Sequence, residues 1–198
     1  MRTKQHFLRV ALSDFKVGAL AESSPYLIRE ALRSQDDKRL KKIIEYGSGN
    51  GVMTRVLLKR LPADGQLIAI ESNRDFVELL REIGDPRLRI IYGEIQAILP
   101  ALKKEGSQNI DLIVSSIPFS WLNQEARKQI ISDSITFLAK DGSLVFFHQY
   151  IPIAALSLRR FFKKVSISFV WRNIFPCFVV VAHKSVVKKT ILEFQLQK

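Results

Sequence analysis

Two apolar segments, each followed by residues that a parallel sheet places at a ligand site, constrain the fold of this chain most. Ile43-Ile44 leads into Glu45-Tyr46-Gly47-Ser48-Gly49-Asn50-Gly51, and Ile68-Ala69-Ile70 ends in Glu71. A strand that enters a glycine turn, followed by a second strand that ends in a carboxylate, is typical of a nucleoside site at the carboxyl edge of a parallel sheet. We therefore expect an α/β fold with a nucleoside-type cofactor at this edge.

The glycine spacing favours S-adenosylmethionine over a dinucleotide as that cofactor. The glycines recur as Gly-x-Gly-x-Gly, and Val52 stands where the dinucleotide pattern has its third glycine. A pyrophosphate needs free N–H groups at a helix N-terminus, whereas S-adenosylmethionine needs only close approach of the backbone, which glycine permits. We expect Glu71 to bind the ribose hydroxyls and Glu45 to lie near the cationic methionine end. The residues of these two segments predicted to contact the cofactor are Glu45, Gly47, Gly49, Gly51 and Glu71.

Alternating apolar strands and amphipathic helices from residue 24 to residue 150 predict a Rossmann-like core. The predicted strands are 42–46, 67–71, 88–92, 111–116 and 143–149, and the predicted helices are 24–33, 51–61, 73–83, 94–103 and 123–139. A turn at Asp141-Gly142 is expected before the fifth strand. Ser24 and Asn73 are predicted helix N-caps.

The last part of the chain predicts a different arrangement. A helix is expected over residues 154–164, followed by β-rich runs at 165–171 and 177–184, which are close enough in sequence to form an antiparallel pair. The whole is predicted to be a seven-stranded class I methyltransferase sheet with a terminal antiparallel strand pair. We expect one domain over residues 1–198, with a Rossmann-like core over 40–184.

The charge is concentrated outside the predicted core. The formal net charge is +12, of which residues 1–44 carry +5 and residues 151–198 carry +8, so the middle carries −1. Two basic flanks around a neutral core favour a polyanionic partner, either nucleic acid or an anionic membrane surface, over a merely solubilising surface. The single Cys177 excludes an internal disulfide and fits a reducing compartment.

The N-terminal residues form a separate signal. An apolar stripe at helical spacing, flanked by basic residues, predicts an amphipathic helix over residues 1–16. Such a helix lies in a membrane interface or packs over the cofactor site, and both interpretations stay open. No segment has the ~18–20 apolar residues that span a bilayer, and no secretory signal is visible. We expect a cytoplasmic protein, peripherally associated with the cytoplasmic face of the membrane.

Taken with these features, several motifs resemble one family along nearly the whole chain. They are Phe7-Leu8-Arg9, Val17-Gly18-Ala19-Leu20, Ser23-Ser24-Pro25, Glu45 to Gly51, Glu71, Ser116-Ile117-Pro118, Gln149-Tyr150 and Arg172-Asn173-Ile174-Phe175-Pro176. The chain resembles the bacterial phospholipid N-methyltransferases, within the wider group that includes the ribosomal RNA adenine dimethyltransferases. The resemblance implies S-adenosylmethionine-dependent methylation of a phospholipid amine, such as phosphatidylethanolamine or its methylated forms, at the membrane surface.

The same resemblance implies roles for further residues. Gly18, Ser72, Gly93, Glu94 and Ile95 join the cofactor contacts, and Glu94 takes the place of an acid that receives the adenine amine. The residues implied for catalysis are Tyr150, Ser116 and Pro118. His148, at the end of the fifth predicted strand, is a second candidate proton acceptor, but a buried structural histidine is the favoured interpretation there. The chemistry of such a substrate suggests Tyr26, Phe119, Trp121 and Arg172 for substrate binding, because aromatic rings suit a methylated cation and a guanidinium suits a lipid phosphate. Ordinary core packing of the rings and a solvated hairpin arginine are the alternatives. No metal is expected.

Two other functions remain open. Gln5-His6-Phe7-Leu8 imitates the Gln-Asn-Phe-Leu of the ribosomal RNA adenine methyltransferases, so adenine N6-methylation is an alternative. However, Ser116-Ile117-Pro118-Phe119 has a serine where those enzymes carry an amide or acid that binds the flipped base. A catalytically silent module that binds lipid or RNA is a further alternative, against which the intact glycines and both acids argue.

Overall fold

The computed structural model describes residues 23–117, 122–148, 158–159, 161–162, 164–173 and 176–184. Within these ranges the strands are β1 (Lys42–Tyr46), β2 (Gln66–Glu71), β3 (Leu88–Tyr92), β4 (Ile110–Ser115), β5 (Leu138–His148), β6 (Lys164–Val170) and β7 (Cys177–His183). The α-helices are α1 (Pro25–Leu32), α2 (Val52–Arg60), α3 (Arg74–Arg81), α4 (Ile95–Lys104) and α5 (Gln124–Phe137), and Asp37–Arg39 forms a short 3-10 turn.

The strands form one seven-stranded sheet in the order β3-β2-β1-β4-β5-β7-β6. The first five strands are parallel, whereas β7 pairs antiparallel with both β5 and β6. The carboxyl ends of β1 to β5 therefore share one edge of the sheet, called here the carboxyl edge. The predicted α/β class I methyltransferase sheet with a terminal antiparallel pair is confirmed.

The helices begin where the sequence provides caps. The Ser24 hydroxyl accepts a hydrogen bond from the Leu27 N–H, and Pro25 occupies the first turn, where its missing N–H costs nothing. The Asn73 side chain accepts from the N–H groups of Asp75 and Phe76 at the start of α3. Both predicted N-caps are confirmed, and each starts a helix at the carboxyl edge.

Two apolar layers cover the sheet, one on each face. Side chains alternate along each strand, so Ile43 packs with α1 and α2 while its neighbour Ile44 packs with α4 and α5. Fully burying one such aliphatic side chain is worth about 1.5–3 kcal/mol, which makes these layers the main source of stability. In the described ranges, no helix has both the length and the apolar character that crossing a bilayer requires.

The start of β5 differs from the prediction. The expected turn at Asp141-Gly142 is wrong, because β5 begins at Leu138, directly after α5, and runs through these residues. Leu138 pairs with Ile110, and the register then shifts before Ser143 pairs with Leu112. The extra residues form an irregularity inside the strand, a local feature that Asp-Gly also favours.

Several predicted elements lie outside the described residues. These are the amphipathic helix 1–16 and six of the eleven residues of the helix 154–164, whose predicted last residue, Lys164, instead begins β6. Their existence, and the division of the chain into one domain with a 40–184 core, stay predictions.

Candidate cofactor site

The glycine turn between β1 and α2 needs residues that accept a left-handed backbone. Gly47, Gly49 and Gly51 have φ values of +71°, +53° and +79°. The Gly47 N–H donates to the carbonyl oxygen of Ile70 at 2.9 Å, which joins the end of β1 to the end of β2. The turn is therefore fixed to the neighbouring strand, and glycine is required because other residues are strained at such φ values.

The three glycines differ in what surrounds their missing side chains. A Cβ on Gly49 would meet nothing within 4 Å, so this glycine borders open space. A Cβ on Gly47 would lie 3.1 Å from the Ile117 side chain, and one on Gly51 would lie 3.0 Å from Leu80. Gly49 is thus where a ligand can approach the backbone closely, and Gly51 allows α3 to pack against the turn. A role of Gly51 in cofactor binding stays a prediction.

Glu71, at the carboxyl end of β2, holds this turn in place. Its carboxylate accepts hydrogen bonds from the N–H groups of Gly49 at 2.7 Å, Ser72 at 2.9 Å and Asn73 at 2.9 Å. Burial raises the pKa of Glu71, although these three N–H groups act in the opposite direction. A carboxylate has about four acceptor positions, so one is left for a hydroxyl donor such as a ribose. This geometry fits the predicted role of Glu71.

The loop after β3 completes the site on the other side of β2. The Gly93 N–H donates to the Glu71 carbonyl oxygen at 2.9 Å. Glu94 follows at the start of α4, and its charge contributes to the raised pKa of Glu71. The Ile95 side chain is buried in the core, so any contact of Ile95 with a ligand would be made by its backbone. The predicted residues of the three loops thus lie together at the carboxyl edge.

A buried acid lies beneath the glycine turn. Glu45 is fully buried in β1, and one of its carboxylate oxygens accepts from the Thr54 hydroxyl at 2.7 Å. Burial raises the pKa of Glu45 to about 8, against the effect of the Thr54 hydrogen bond. The Ser48 hydroxyl lies close enough to this carboxylate to oppose the rise in pKa as well, without a hydrogen bond of ordinary geometry. Among the described residues, the other carboxylate oxygen and the buried Ser115 hydroxyl likewise make no hydrogen bond of ordinary geometry. Such unpaired atoms at the ends of β1 and β4 fit the edge of a polar ligand site.

Ser48, Thr54 and Ser115 were missed by the sequence reasoning. Ser115 follows the apolar run 112–114 at the end of β4, and Ser48 lies between two glycines of the turn. A hydroxyl residue at such positions is the signal that could have drawn attention to them, since a buried hydroxyl needs a partner.

The end of β4 lies beside the glycine turn. The Ser116 N–H donates to the Tyr46 carbonyl oxygen at 2.9 Å, which puts the predicted catalytic Ser116 next to Gly47. The other residues predicted for catalysis, Tyr150 and Pro118, lie outside the described residues, and of His148 only the backbone is described. Three further predicted contacts, Gly18, Phe119 and Trp121, also lie outside the described residues.

Two predicted substrate residues meet at the far side of the carboxyl edge. The Arg172 guanidinium lies 5.3 Å from the centre of the Tyr26 ring and 4.7 Å from that of Trp171. Nearby, the Asn173 side-chain oxygen accepts from the Ser24 N–H at 3.0 Å. The β6–β7 hairpin and the start of α1 are thereby joined.

Comparison with known proteins places the site in a family. A model of the methyltransferase domain matches residues 43–142, half of the chain and the part that contains the glycine turn and Glu71. The chain belongs to the methyltransferase domain family. The predictions of an S-adenosylmethionine-dependent methyltransferase and of S-adenosylmethionine as its cofactor are confirmed, and the open space at Gly49 and the free acceptor of Glu71 fit this cofactor.

Individual relatives of this methyltransferase differ in their substrates. An ornithine lipid N-methyltransferase of Singulisphaera acidiphila is 28% identical over 162 residues, which cover 81% of this chain and 84% of the relative. A ribosomal RNA small subunit methyltransferase A of Borreliella burgdorferi is 36% identical over 112 residues, covering 53% of this chain and 37% of the relative. The structure of the O-methyltransferase TomG from Streptomyces achromogenes in complex with S-adenosylmethionine superposes with a TM-score of 0.61 at 20% identity, covering 88% of this chain and 86% of TomG.

Proposed function

We propose that this methyltransferase transfers methyl groups to the amine of a membrane lipid head group. The similarity to an ornithine lipid N-methyltransferase carries this proposal, because it covers 81% of this chain and extends well beyond the shared cofactor half. The resemblance to phospholipid N-methyltransferases includes motifs outside that half, from Phe7 to Pro25 and from Gln149 to Pro176, and gives further support.

Two lipid classes carry the required head group. Phosphatidylethanolamine, with its methylated forms, offers an amine beside a phosphate, and an ornithine lipid offers an amine beside a carboxylate. A planar guanidinium binds either anion through paired N–H groups, which suits Arg172 as the residue that holds the anion. Because Arg172 lies at the carboxyl edge, an anion held there leaves the amine free to extend toward the cofactor.

The chain must deliver a neutral amine, since a protonated amine has no lone pair for the methyl group. S-adenosylmethionine supplies an activated methyl group on its sulfonium. The lipid ammonium loses its proton through desolvation or to a nearby base, for which Tyr150 and His148 are the candidates. Ser116 and Pro118 are proposed to line the path of the amine, and Phe119, Trp121 and Tyr26 to face the methylated cation.

The site of action is proposed to be the cytoplasmic face of the membrane. The basic flanks, which carry +5 and +8, support attraction to anionic lipids. Residues 1–16 are proposed to lie in the interface as an amphipathic helix. Removal of residues 1–15 is expected to weaken vesicle binding, and equal binding by the truncated protein would contradict this role.

The test is methyl transfer from radiolabelled S-adenosylmethionine. Vesicles containing phosphatidylethanolamine, vesicles containing ornithine lipid and unmodified ribosomal RNA are offered in parallel. We expect label in the lipid phase, and the two vesicle types decide which amine is preferred. Label in neither lipid contradicts the proposal.

Two variants control the assay. Glu71→Ala should abolish transfer, because Glu71 organises the glycine turn and provides the ribose acceptor. Glu78→Ala removes an exposed acid of α3, which pairs with Arg81, and should leave transfer unchanged.

Ribosomal RNA adenine methylation is the second candidate. The similarity to ribosomal RNA methyltransferase A over 53% of this chain favours it, as does the net charge of +12. Label in RNA and not in lipid would establish this alternative. It would mean that Ser116 takes part in base binding although it stands where those enzymes carry an amide or an acid.

A further inference from the structure

An exposed group of aromatic and cationic side chains, called here the aromatic–arginine patch, lies on the surface formed by α1 and the β6–β7 hairpin. Its members are Tyr26, Arg29, Trp171 and Arg172, and the exposed Ile167 and Phe169 flank it on β6. Trp171 is 65% exposed and Phe169 is 54% exposed, high values for such large apolar side chains. A cluster of exposed apolar side chains with a polar rim marks an interaction surface, whereas single ones need no explanation.

The patch lies at the same edge of the sheet as the cofactor site. Val170, the last residue of β6, pairs with Cys177, the first residue of β7. Phe178 of β7 pairs in turn with His148, the last residue of β5. Since β5 ends at the carboxyl edge, the turn that carries Trp171 and Arg172 lies at that edge as well. A surface that contacts the patch is therefore on the substrate side of the enzyme.

The two arginines of the patch contact aromatic rings, and no acid of the described part of the chain pairs with them. Arg172 lies over Tyr26 and Trp171, and Arg29 lies 5.4 Å from the centre of the Tyr26 ring. No ion pair among the described residues includes Arg29 or Arg172. Glu30, the nearby acid of α1, pairs with Arg33. The patch therefore presents positive charge beside apolar rings.

This combination matches the boundary between lipid head groups and acyl chains. Tryptophan and tyrosine prefer that boundary because their rings are apolar and carry one polar group, and arginine binds the anionic head groups above it. The side chains of Ile167 and Phe169 share the face of β6 opposite α1, where Phe169 packs on Phe178, and they add exposed apolar surface on the strand that leads to Trp171. An aliphatic side chain adds to contact with acyl chains but offers nothing for stacking on a nucleic-acid base.

We propose that the aromatic–arginine patch is the surface with which this enzyme docks on an anionic lipid bilayer, with Trp171 inserted among the lipids and Arg29 and Arg172 at the level of the head groups. The choice of a bilayer as partner rests on the proposed lipid function. Docking in this way brings the carboxyl edge, and with it the cofactor site, against the membrane surface.

The experiment measures binding of the full chain to phosphatidylglycerol–phosphatidylcholine vesicles that contain no amine lipid. Vesicle affinity of Trp171→Ala should fall at least about tenfold, because one large apolar side chain is no longer buried in the interface. Arg172→Gln should weaken binding to these vesicles and leave binding to pure phosphatidylcholine unchanged. Tyr92→Ala is the matched control: Tyr92 is 49% exposed and Arg74 lies over its ring, but β3 is at the opposite border of the sheet. Its vesicle affinity should equal that of the unmodified chain.

Fluorescence reports on the insertion directly and does not depend on a loss of binding. The chain has two tryptophans, so a Trp121→Phe variant leaves Trp171 as the only emitter. Its emission should shift to shorter wavelength on vesicle binding and should be quenched by brominated acyl chains. Binding without a shift, or unchanged affinity of Trp171→Ala, overturns the proposal. Loss of RNA affinity in the patch variants, with unchanged vesicle affinity, also overturns it and assigns the patch to RNA.

Different results contradict the docking proposal and the proposal of lipid methylation. If the patch variants lose vesicle binding but the unmodified chain methylates no lipid, docking holds and the proposed substrate is wrong. If the chain methylates lipid and the variants bind vesicles normally, the substrate holds and the patch is not the docking surface. Activity on amine lipid dispersed in detergent should be nearly equal for Trp171→Ala and the unmodified chain, since micelles require no docking on a bilayer.

Discussion

At Gly49, the effect of a substitution on cofactor binding can be measured separately from its effect on backbone strain. Gly49 and Gly84 both have a left-handed backbone conformation, with φ values of +53° and +65°, and a Cβ on either residue would meet nothing within 4 Å. We expect Gly49→Ala and Gly84→Ala to lose similar stability, about 1–2 kcal/mol, from backbone strain alone. Only Gly49→Ala should also lose S-adenosylmethionine affinity, by about tenfold or ~1.4 kcal/mol, because its methyl group enters the ligand space. Calorimetric titration and thermal unfolding measure the two effects, and equal affinities would place the cofactor elsewhere.

Glu45 gives the second prediction at this scale. Its pKa is raised by burial from 4.5 to about 8, so between these pH values the folded chain keeps a proton that the unfolded chain has lost. The contribution of Glu45 to the free energy of unfolding therefore falls as pH rises through this window, by roughly 1.4 kcal/mol per pH unit. Urea unfolding of the cofactor-free protein at pH 5 and pH 8 should show a smaller fall for Glu45→Gln than for the unmodified chain. Glu78→Gln, an exposed acid, should leave the fall unchanged, and the same fall in Glu45→Gln would contradict a buried protonated Glu45.

Some residues of the candidate site were predicted from the sequence and others were missed, for a physical reason. Glycines and acids at strand ends follow from local spacing, which is how Gly49 and Glu71 were found. Ser115 and Thr54 matter because they are buried beside Glu45 or its loop, and burial depends on how distant segments pack. The one local signal is the position of Ser115 at the end of an apolar run, and Thr54, inside α2, has none.

Among the elements, α1 and the β6–β7 hairpin are joined by a contact that local sequence does not encode. Ser24 was predicted as an N-cap, but its N–H also donates to the side chain of Asn173, which lies 149 residues further along the chain. In contrast, the bounds of β1 to β4 and of α1 to α5 follow the predictions within about two residues, because apolar periodicity and caps are local signals. The start of β5 was wrong, since strand pairing overrode the turn tendency of Asp141-Gly142.

Asn173→Ala tests that contact. It removes the acceptor for the Ser24 N–H, and we expect a loss of about 1–3 kcal/mol in the free energy of unfolding because a partly buried donor is left unpaired. The start of α1 should also become less ordered, visible as faster amide hydrogen exchange over residues 24–29. Asn173→Asp keeps an acceptor oxygen and serves as the control. Unchanged exchange in Asn173→Ala would mean that packing alone holds α1 to the hairpin.

At the scale of the whole molecule, the strand order brings basic segments of the chain to the carboxyl edge. The neutral middle of the chain carries the cofactor site, and the basic flanks, +5 and +8, include α1 and the hairpin that meet at the carboxyl edge. Composition alone revealed the flanks, but the meeting of α1 with the hairpin became visible only with the strand order, because β6 and β7 return antiparallel beside β5.

This distribution predicts how salt affects the enzyme. Raising salt from about 0.1 M to about 1 M shortens the screening length from about 10 Å to about 3 Å. Binding to anionic vesicles should weaken strongly, whereas transfer to amine lipid in neutral detergent micelles should change little. Co-sedimentation and the radiolabel assay measure the two, and salt-independent vesicle binding would mean that apolar contacts alone hold the enzyme to the membrane.

The hydrogen bond from the Gly49 N–H to the Glu71 carboxylate has a consequence for turnover. It holds the turn in shape without a ligand, so the spent cofactor can leave and a fresh one can enter without refolding of the loop. Little conformational entropy is then lost on each binding event. We expect the exchange of cofactors to be governed by how fast they dissociate, and not by reordering of the turn.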